Sequence, residues 1–313
     1  MNATFATAVM PDVDRDRPHR WRLAAGYILA IALVVAVAVY GFDYYTLDAA
    51  HRPLSPKHAA LKPSGSIGFK LGIFGLLLFL AIFLYPLRKR WRWLGRQGSS
   101  QHWLDFHVLM GLTAPFVIAF HSSFKFHGFA GMAFWIMTAV ALSGVIGRYV
   151  YGQIPRRVSS AEVSMAELEQ QHSVLAQRLA AQKVLPTADL RSLLHLPSAA
   201  VVARMPLVVA VGYMIILDLV RPLRVARLRR RALGFGETIT TLGGLLRTRH
   251  LELELAIDAA RDQASLSKRI LFLSRAQRVF HLWHVIHRPF SYSFAVLAVI
   301  HIAVVTMMGY VWW

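Results

Sequence analysis

The sequence predicts an all-α integral membrane protein, a five-span helical bundle with a helical cytoplasmic insertion before the last span. Of the 313 residues, 56% are hydrophobic and only 16% are charged, whereas soluble domains carry about 25% charged residues. The apolar residues form long uninterrupted blocks, and Lys and Arg are concentrated in alternate connections between these blocks. These observations exclude an ordinary soluble enzyme and indicate a multi-pass membrane protein.

Five apolar blocks are long enough, or nearly so, to cross the hydrocarbon core as helices of about 20 residues. They are Leu23–Phe42, Leu71–Leu87, Trp103–His121, Phe129–Tyr151 and Pro289–Trp313. Arginines precede the first block, as in a signal peptide, but the block is too long and no small-residue cleavage site follows it. We therefore expect the first block to be a retained anchor.

The basic residues predict the orientation of the spans, because cytoplasmic loops collect Lys and Arg. The tail of residues 1–22, the connection after the second block and the exit of the fourth block are rich in these residues. The other two connections contain few, and the C-terminus contains none. We expect a plasma (cell inner) membrane protein with a cytoplasmic N-terminus and an outer C-terminus.

Between the fourth and fifth blocks lies a long insertion. The predicted organisation is a bundle of four spans over residues 23–157, a helical insertion over 158–280 and the last span over 281–313. The segment Leu207–Val220 raises the question of a sixth crossing, but it is short, follows Pro206 and contains Asp218. An interfacial or buried helix is the preferred interpretation, with the arginines that follow it lying against anionic lipid headgroups.

Composition also excludes several functions. The net charge of +19 comes from 35 Lys and Arg against 16 Asp and Glu, and much of it falls on the predicted cytoplasmic side. Membrane topology therefore accounts for it, and we expect no nucleic acid partner. The chain has no cysteine, which excludes disulfides, Cys-ligated iron–sulfur clusters and covalent c-type haem attachment.

Two of the blocks contain histidine pairs with the same spacing. His107 and His121 lie in the third block, His287 and His301 in the fifth, and each pair is 14 residues apart. Fourteen residues make almost four helical turns, so each pair shares one helix face with its members about 21 Å apart. Ionisable side chains inside membrane helices are costly and mark candidate functional sites.

The predicted topology makes the third and fifth spans parallel, so that His107 can face His287 and His121 can face His301. Histidine pairs on facing bundle helices are suited to be axial ligands of haem iron. Mostly small residues lie between the histidines and leave room for a large ring: Gly111, Ala114, Ile118, Ser291, Phe294 and Ala298. The pattern predicts two b-type haems, one near each leaflet.

Further candidates lie at the membrane borders. Arg148, Arg288 and Lys125 could pair with haem propionates. His284 is an alternative to His287 as an iron ligand, but it is about 100° out of phase with His301, so that His287 is preferred. His281 and His284 either line a quinone pocket or are solvated at the interface.

The arrangement resembles di-haem transmembrane b-type cytochromes, namely the membrane domains of ferric reductases and NADPH oxidases, and more distantly cytochrome b of quinol-oxidising complexes. The resemblance covers roughly residues 68–157 and 281–313 and rests on histidine spacing and topology. It implies that His107, His121, His287 and His301 are axial ligands of two b haems. Unlike the flavin-linked oxidases, the sequence shows no G-x-G-x-x-G fingerprint or P-loop.

We therefore expect an electron-transfer subunit of a larger oxidoreductase complex rather than a self-sufficient enzyme, with a quinone site as a variant. Expected partners are membrane lipid, an acidic redox partner on the cytoplasmic side, and an electron donor or acceptor on the outer side. The alternatives are a proton- or metal-coupled transporter that uses the intramembrane histidines, and a cofactor-free structural subunit. The transporter is disfavoured because the spans lack carboxylates apart from Asp105.

Overall fold

The computed structural model describes residues 17–154, 169–170, 173–174, 176–177, 194–233, 238 and 240–310. Its regular elements are all helical, and no strand occurs among these residues. The longer helices are α1 (Arg17–Tyr40), α2 (Ser66–Arg88), α3 (Ser100–His121), α4 (Gly128–Gln153), α5 (Ala199–Arg204), α6 (Leu207–Ala232) and α7 (Leu251–Met307). Single helical turns lie in the connections: Phe42–Tyr45, Arg52–Leu54, His58–Leu61 and Arg92–Gly95.

Five of the described helices are long and apolar enough to cross a membrane, namely α1, α2, α3, α4 and α7. They correspond to the five predicted blocks, so the all-α class and the five candidate spans are confirmed. Helix α6, which contains the questioned segment Leu207–Val220, is not among these five. Pro289, at which the fifth apolar block begins, lies inside α7.

The chain divides into two compact units, of which the first comprises Met1–Ile146 and Val285–Trp313. Within it, both α1 and α2 pack against α3. One apolar cluster is centred on the buried Leu71, Val117 and Phe120 and includes side chains of α1. A second cluster joins α3 to α4 through Ala114, Ala119, Phe134 and Met137. Helix α3, which contains the first histidine pair, is therefore held on more than one side.

A tight turn ends α3 at His121. Ser123 and Phe124 have φ values of 49° and 58°, a left-handed conformation that a helix cannot continue through. The fully buried Ser123 donates its hydroxyl to the Leu61 carbonyl at 2.9 Å and accepts a hydrogen bond from Arg52 through its own carbonyl. The connection between α1 and α2 thus fixes the end of the helix on which His121 lies.

The second unit comprises Gly147–His284. Apolar side chains of α6 and α7 form one of its cores, which contains Val225, Leu228, Leu253 and Ile257. Asp218 of α6 accepts hydrogen bonds from Tyr149 at 2.7 Å and from Lys268 at 2.5 Å. The carboxylate that counted against a sixth crossing is therefore bonded within this unit.

A buried ion pair joins the ends of α6 and α7 in the second unit. Arg229 donates to both carboxylate oxygens of Glu254, at 2.8 and 2.6 Å, and the Thr248 amide donates to the same carboxylate. Arg229 and Glu254 are only 4% and 6% exposed. Burial opposes ionisation of Glu254, but the hydrogen bonds from Arg229 and Thr248 prevail and lower its pKa from the usual 4.5.

Replacing Glu254 by Gln should destabilise the protein by about 3 kcal/mol at pH 7, because a buried guanidinium loses its counter-charge. Because the folded-state pKa of Glu254 lies below 4.5, the contribution of the ionised pair is fully present above the unfolded-state pKa and is lost as the pH falls through the folded-state pKa. Thermal unfolding of wild type and variant at a series of pH values measures both effects.

The matched control is Asp258→Asn, on the same helix. Asp258 pairs with Arg247 at 2.5 Å, but the two side chains are 35% and 67% exposed, so the loss should stay below about 1 kcal/mol. Equal destabilisation by the two variants at pH 7 would contradict a structural role for the buried pair.

Candidate functional site

Both histidines of α3 are anchored to the backbone of α2. Nδ1 of His107 lies 2.9 Å from the Ile82 carbonyl oxygen, and Nδ1 of His121 lies 2.8 Å from that of Gly68. A carbonyl can only accept, so Nδ1 carries the proton in both rings. Gly68 and Ile82 are themselves 14 residues apart. The spacing of the two histidines on α3 is therefore equal to the spacing of their acceptors on α2.

The acceptor of His107 is explained by a proline. Ile82 lies four residues before Pro86, which is inside α2 and has no N–H to donate to that carbonyl. Within the helix the Ile82 oxygen is thus left without its usual i+4 donor. The imidazole of His107 donates a hydrogen bond to this oxygen. In an apolar membrane no water is available to do so, and the contact removes the cost of an unpaired carbonyl.

A glycine explains the position of His121. A Cβ atom on Gly72 would lie 2.7 Å from Cε1 and 2.8 Å from Nδ1 of His121, closer than van der Waals contact allows. One turn on, a Cβ on Gly75 would collide with Ile118. Side chains of α3 therefore occupy the space that missing side chains leave on α2, as is usual where membrane helices approach closely.

His287 of α7 is anchored to α4. Its Nδ1 lies 2.8 Å from Oγ of Ser143, and that hydroxyl lies 2.8 Å from the Val140 carbonyl. When Ser143 donates its hydroxyl to Val140, its oxygen accepts from His287, and Nδ1 of this ring then carries the proton. In a neutral imidazole with a protonated Nδ1, the lone pair is on Nε2, the atom that can bind a metal.

One face of α7 is turned inward. The half-buried positions include His287, Ser291, Phe294, Ala298 and His301, whereas most neighbouring positions are exposed. His301 lies close enough to His121 for an electrostatic interaction between the two rings. The face predicted from the spacing is therefore the one that α7 turns toward the bundle.

Between the two histidines of α3, one position borders open space and another is packed against neighbouring helices. A Cβ atom on Gly111 would meet no heavy atom within 4 Å, so that α3 borders open space one turn beyond His107. Phe294 packs against the cluster that contains Ala114, and its ring centroid lies 5.4 Å from that of Phe79. Since both Ala114 and Phe294 lie seven residues from each histidine of their own helix, this packing divides the interior at its midpoint.

Four further residues were named as candidates for the site: Ser291, Arg288, Arg148 and His284. Ser291 donates to the His287 carbonyl within α7 at 2.7 Å. Arg288 is exposed, whereas Arg148 is half-buried in the part of α4 that belongs to the second unit. The ring of His284 contacts Phe280 and Trp283.

A second histidine cluster was not foreseen. Nε2 of His19 lies 3.0 Å from Oδ2 of Asp105, and both side chains are 8% exposed. The ring of His102 stacks on His19 with centroids 3.6 Å apart. The one carboxylate noted in the spans is therefore paired, and it joins α1 to α3.

Sequence analysis also missed the residues that orient the histidines. Gly68, Gly72, Ile82 and Ser143 are neither ionisable nor unusual in membrane helices. Two signals were nevertheless present: the G-x-x-x-G spacing of Gly68 and Gly72, typical of close helix approach, and Pro86, which frees a carbonyl four residues earlier.

Among the described residues, no group of three or more His, Asp or Glu side chains is placed to hold a metal ion. Comparison of the chain with protein-family models, curated proteins and solved structures finds no match.

Replacing Gly72 by Ala should displace His121 from the Gly68 carbonyl, because the added methyl group overlaps the imidazole. We expect a lower thermal unfolding midpoint for the purified protein, even though alanine favours a helix by about 1 kcal/mol over glycine. The control is Gly212→Ala in α6, where a Cβ meets nothing within 4 Å, and which should be neutral or stabilising. If both variants gained stability, the close approach of α2 and His121 would be refuted.

Proposed function

We propose that this chain is the electron-transfer membrane subunit of an oxidoreductase complex and holds two b-type haems. His107 and His287 would hold one haem, and His121 and His301 the other. The proposal agrees with the resemblance to di-haem transmembrane b-type cytochromes. It treats the chain as a carrier of electrons rather than a self-sufficient enzyme.

The observation that carries the proposal is a hydrogen-bond pattern shared by three histidine rings. Nδ1 of His107, His121 and His287 is in each case within hydrogen-bond distance of an oxygen on a neighbouring helix, and the two backbone carbonyls among these oxygens can only accept. Metal-ligating histidines generally donate their second ring nitrogen in this way, which fixes the tautomer and makes the ligand more basic. We prefer His287 to His284 as a ligand because its ring is oriented by Ser143.

The residues present fit a haem. Support comes from the open space beside Gly111 and from the small size of Ser291 and Ala298, which favour a large ring beside these positions. Phe294, packed against the cluster of Ala114, lies midway between the two histidines of α7. A bound haem supplies one-electron iron chemistry that no side chain of this chain provides. The chain's own residues would orient the ligands, exclude water and set ligand basicity through the hydrogen bonds at Nδ1.

We further propose the plasma (cell inner) membrane as the location, with the N-terminus in the cytoplasm, from the distribution of Lys and Arg. An acidic redox partner would then bind the basic insertion, and a second partner would exchange electrons on the outer side. A quinone is one candidate for such a partner. Arg148 and Arg288 remain candidates for pairing with propionates.

A proton-coupled transporter is a second candidate, and one observation favours it. The buried pair of His19 and Asp105, with His102 stacked on it, places a carboxylate and two imidazoles together, as in proton relays of membrane proteins. This hypothesis predicts a colourless protein, whereas the first predicts a coloured one.

The deciding experiment is a reduced-minus-oxidised absorption spectrum of the full chain, purified after expression with adequate haem supply. A b-type signal is expected, with two haems per chain after pyridine extraction. A colourless preparation would refute the proposal and leave the transporter and the cofactor-free structural subunit as the remaining hypotheses.

Replacement of single histidines tests the pairing. His121→Leu and His301→Leu should each reduce the haem content from two to one per chain and remove the same spectral component. His107→Leu and His287→Leu should remove the other component. His127→Leu, in the exposed turn after α3, is the control and should retain both. Loss of different components within one pair would disprove the pairing.

Pro86→Ala tests the orienting hydrogen bond. The new amide can donate to the Ile82 carbonyl and compete with Nδ1 of His107, which makes this ligand less basic. We expect a higher midpoint potential for the haem of His107 and an unchanged potential for that of His121, which serves as an internal control. A redox titration followed by absorbance measures both, and equal shifts would argue against a local effect.

A further inference from the structure

Helix α6 has an exposed apolar stripe along one face. Val208, Ile216, Leu219 and Leu223 are between 57% and 84% exposed. At 3.6 residues per turn they fall within an arc of about 80°. Gly212 lies in the same arc, and a Cβ atom there would meet nothing within 4 Å. Large apolar side chains that are exposed along one face mark a surface that binds lipid or protein.

The opposite face of α6 is packed inside the second unit. Its residues there share a buried cluster with Val150 of α4: Ala210, Met214 and Leu217. The neighbouring Asp218 accepts a hydrogen bond from Tyr149 of α4 at 2.7 Å. Helix α6 is therefore buried by protein on one side and exposes apolar side chains on the other, and its buried side contacts α4.

This contact places α6 beside the end of a candidate span. Helix α4 is apolar enough to cross a membrane, and Val150 lies in its last turn, which ends at Gln153. The last turn of a spanning helix lies near the membrane surface. Helix α6 is not among the candidate spans. A helix that is too polar to cross, lies beside the end of a span and exposes one apolar face has the features of an interfacial helix.

Arginines continue the stripe toward the end of α6. Arg230 falls within the same arc, Arg227 lies about 20° from its edge, and both residues are exposed. The exposed face is therefore apolar over its first part and basic over its last. Acyl chains match the apolar part, and the headgroups of anionic lipids attract the basic part. This order of side chains favours a lipid surface over a protein partner.

We propose that the exposed stripe of α6 lies in an anionic membrane leaflet, with Arg227 and Arg230 bound to lipid headgroups. Both ends of the second unit, Gly147 and His284, lie within the candidate spans α4 and α7, so the unit is tethered to the membrane at both ends. The stripe shares no residue with the proposed haem sites, and a failure of either proposal leaves the other intact.

Fluorescence quenching of the full chain tests the lipid contact. Because the sequence has no cysteine, Leu219→Cys can be labelled at one position with a small dye and reconstituted in nanodiscs that contain nitroxide-labelled lipid. The matched control is Leu255→Cys, since Leu255 is 60% exposed and lies about 25 Å along α7 from Phe272, which belongs to the cluster of Val150. We expect quenching by lipid to be at least about threefold stronger at position 219 than at position 255.

The arginines are tested in the same assay. The double variant Arg227→Gln/Arg230→Gln should weaken quenching at position 219 by at least about twofold in discs that contain phosphatidylglycerol, and less in discs of phosphatidylcholine alone. Its control, Arg249→Gln/Arg261→Gln, makes the same charge change at two other exposed residues and should leave the quenching unchanged.

The proposal is overturned if lipid quenches position 219 no more strongly than position 255. Shielding of position 219 from aqueous iodide as well would then assign the stripe to a protein partner or a second copy of the chain. The headgroup contact is overturned if the two double variants have equal effects, or if the arginine variant weakens quenching equally in both kinds of disc.

Discussion

The hydrogen bonds from α3 to the backbone of α2 are the constraint on which the membrane unit depends. A membrane interior offers no water to an unpaired imidazole, so His107 and His121 each need a partner inside the protein. Both find a carbonyl on the same neighbouring helix. These two bonds fix the depth and the rotation of α3 relative to α2, and with them the direction of both imidazoles.

Two residues that are unfavourable in helices make these bonds possible. Proline and glycine inside a helix cost about 3 and 1 kcal/mol relative to alanine. Pro86 leaves the Ile82 carbonyl without its usual donor, and Gly72 leaves the volume that His121 fills. Local helix stability is thus lower where α2 holds the two histidines of α3, and contacts between helices compensate for it.

In the second unit, two acidic side chains join neighbouring segments through hydrogen bonds and ion pairs. Glu254 neutralises the buried Arg229, and Asp218 joins Tyr149, Lys268 and Arg221. In a chain with 35 basic and 16 acidic residues, each buried carboxylate has several cations to satisfy.

The sequence by itself determined the five candidate spans and the inward face of α7, because hydrophobic length and helical periodicity are local properties that neighbours do not change. Only the tertiary structure decided which atoms orient the histidines, because acceptors such as the Ile82 carbonyl belong to the backbone and have no residue signature. The pairing of His19 with Asp105 and that of Asp218 with Lys268 were likewise decided by packing, since residues 86 and 50 positions apart meet only when helices pack together.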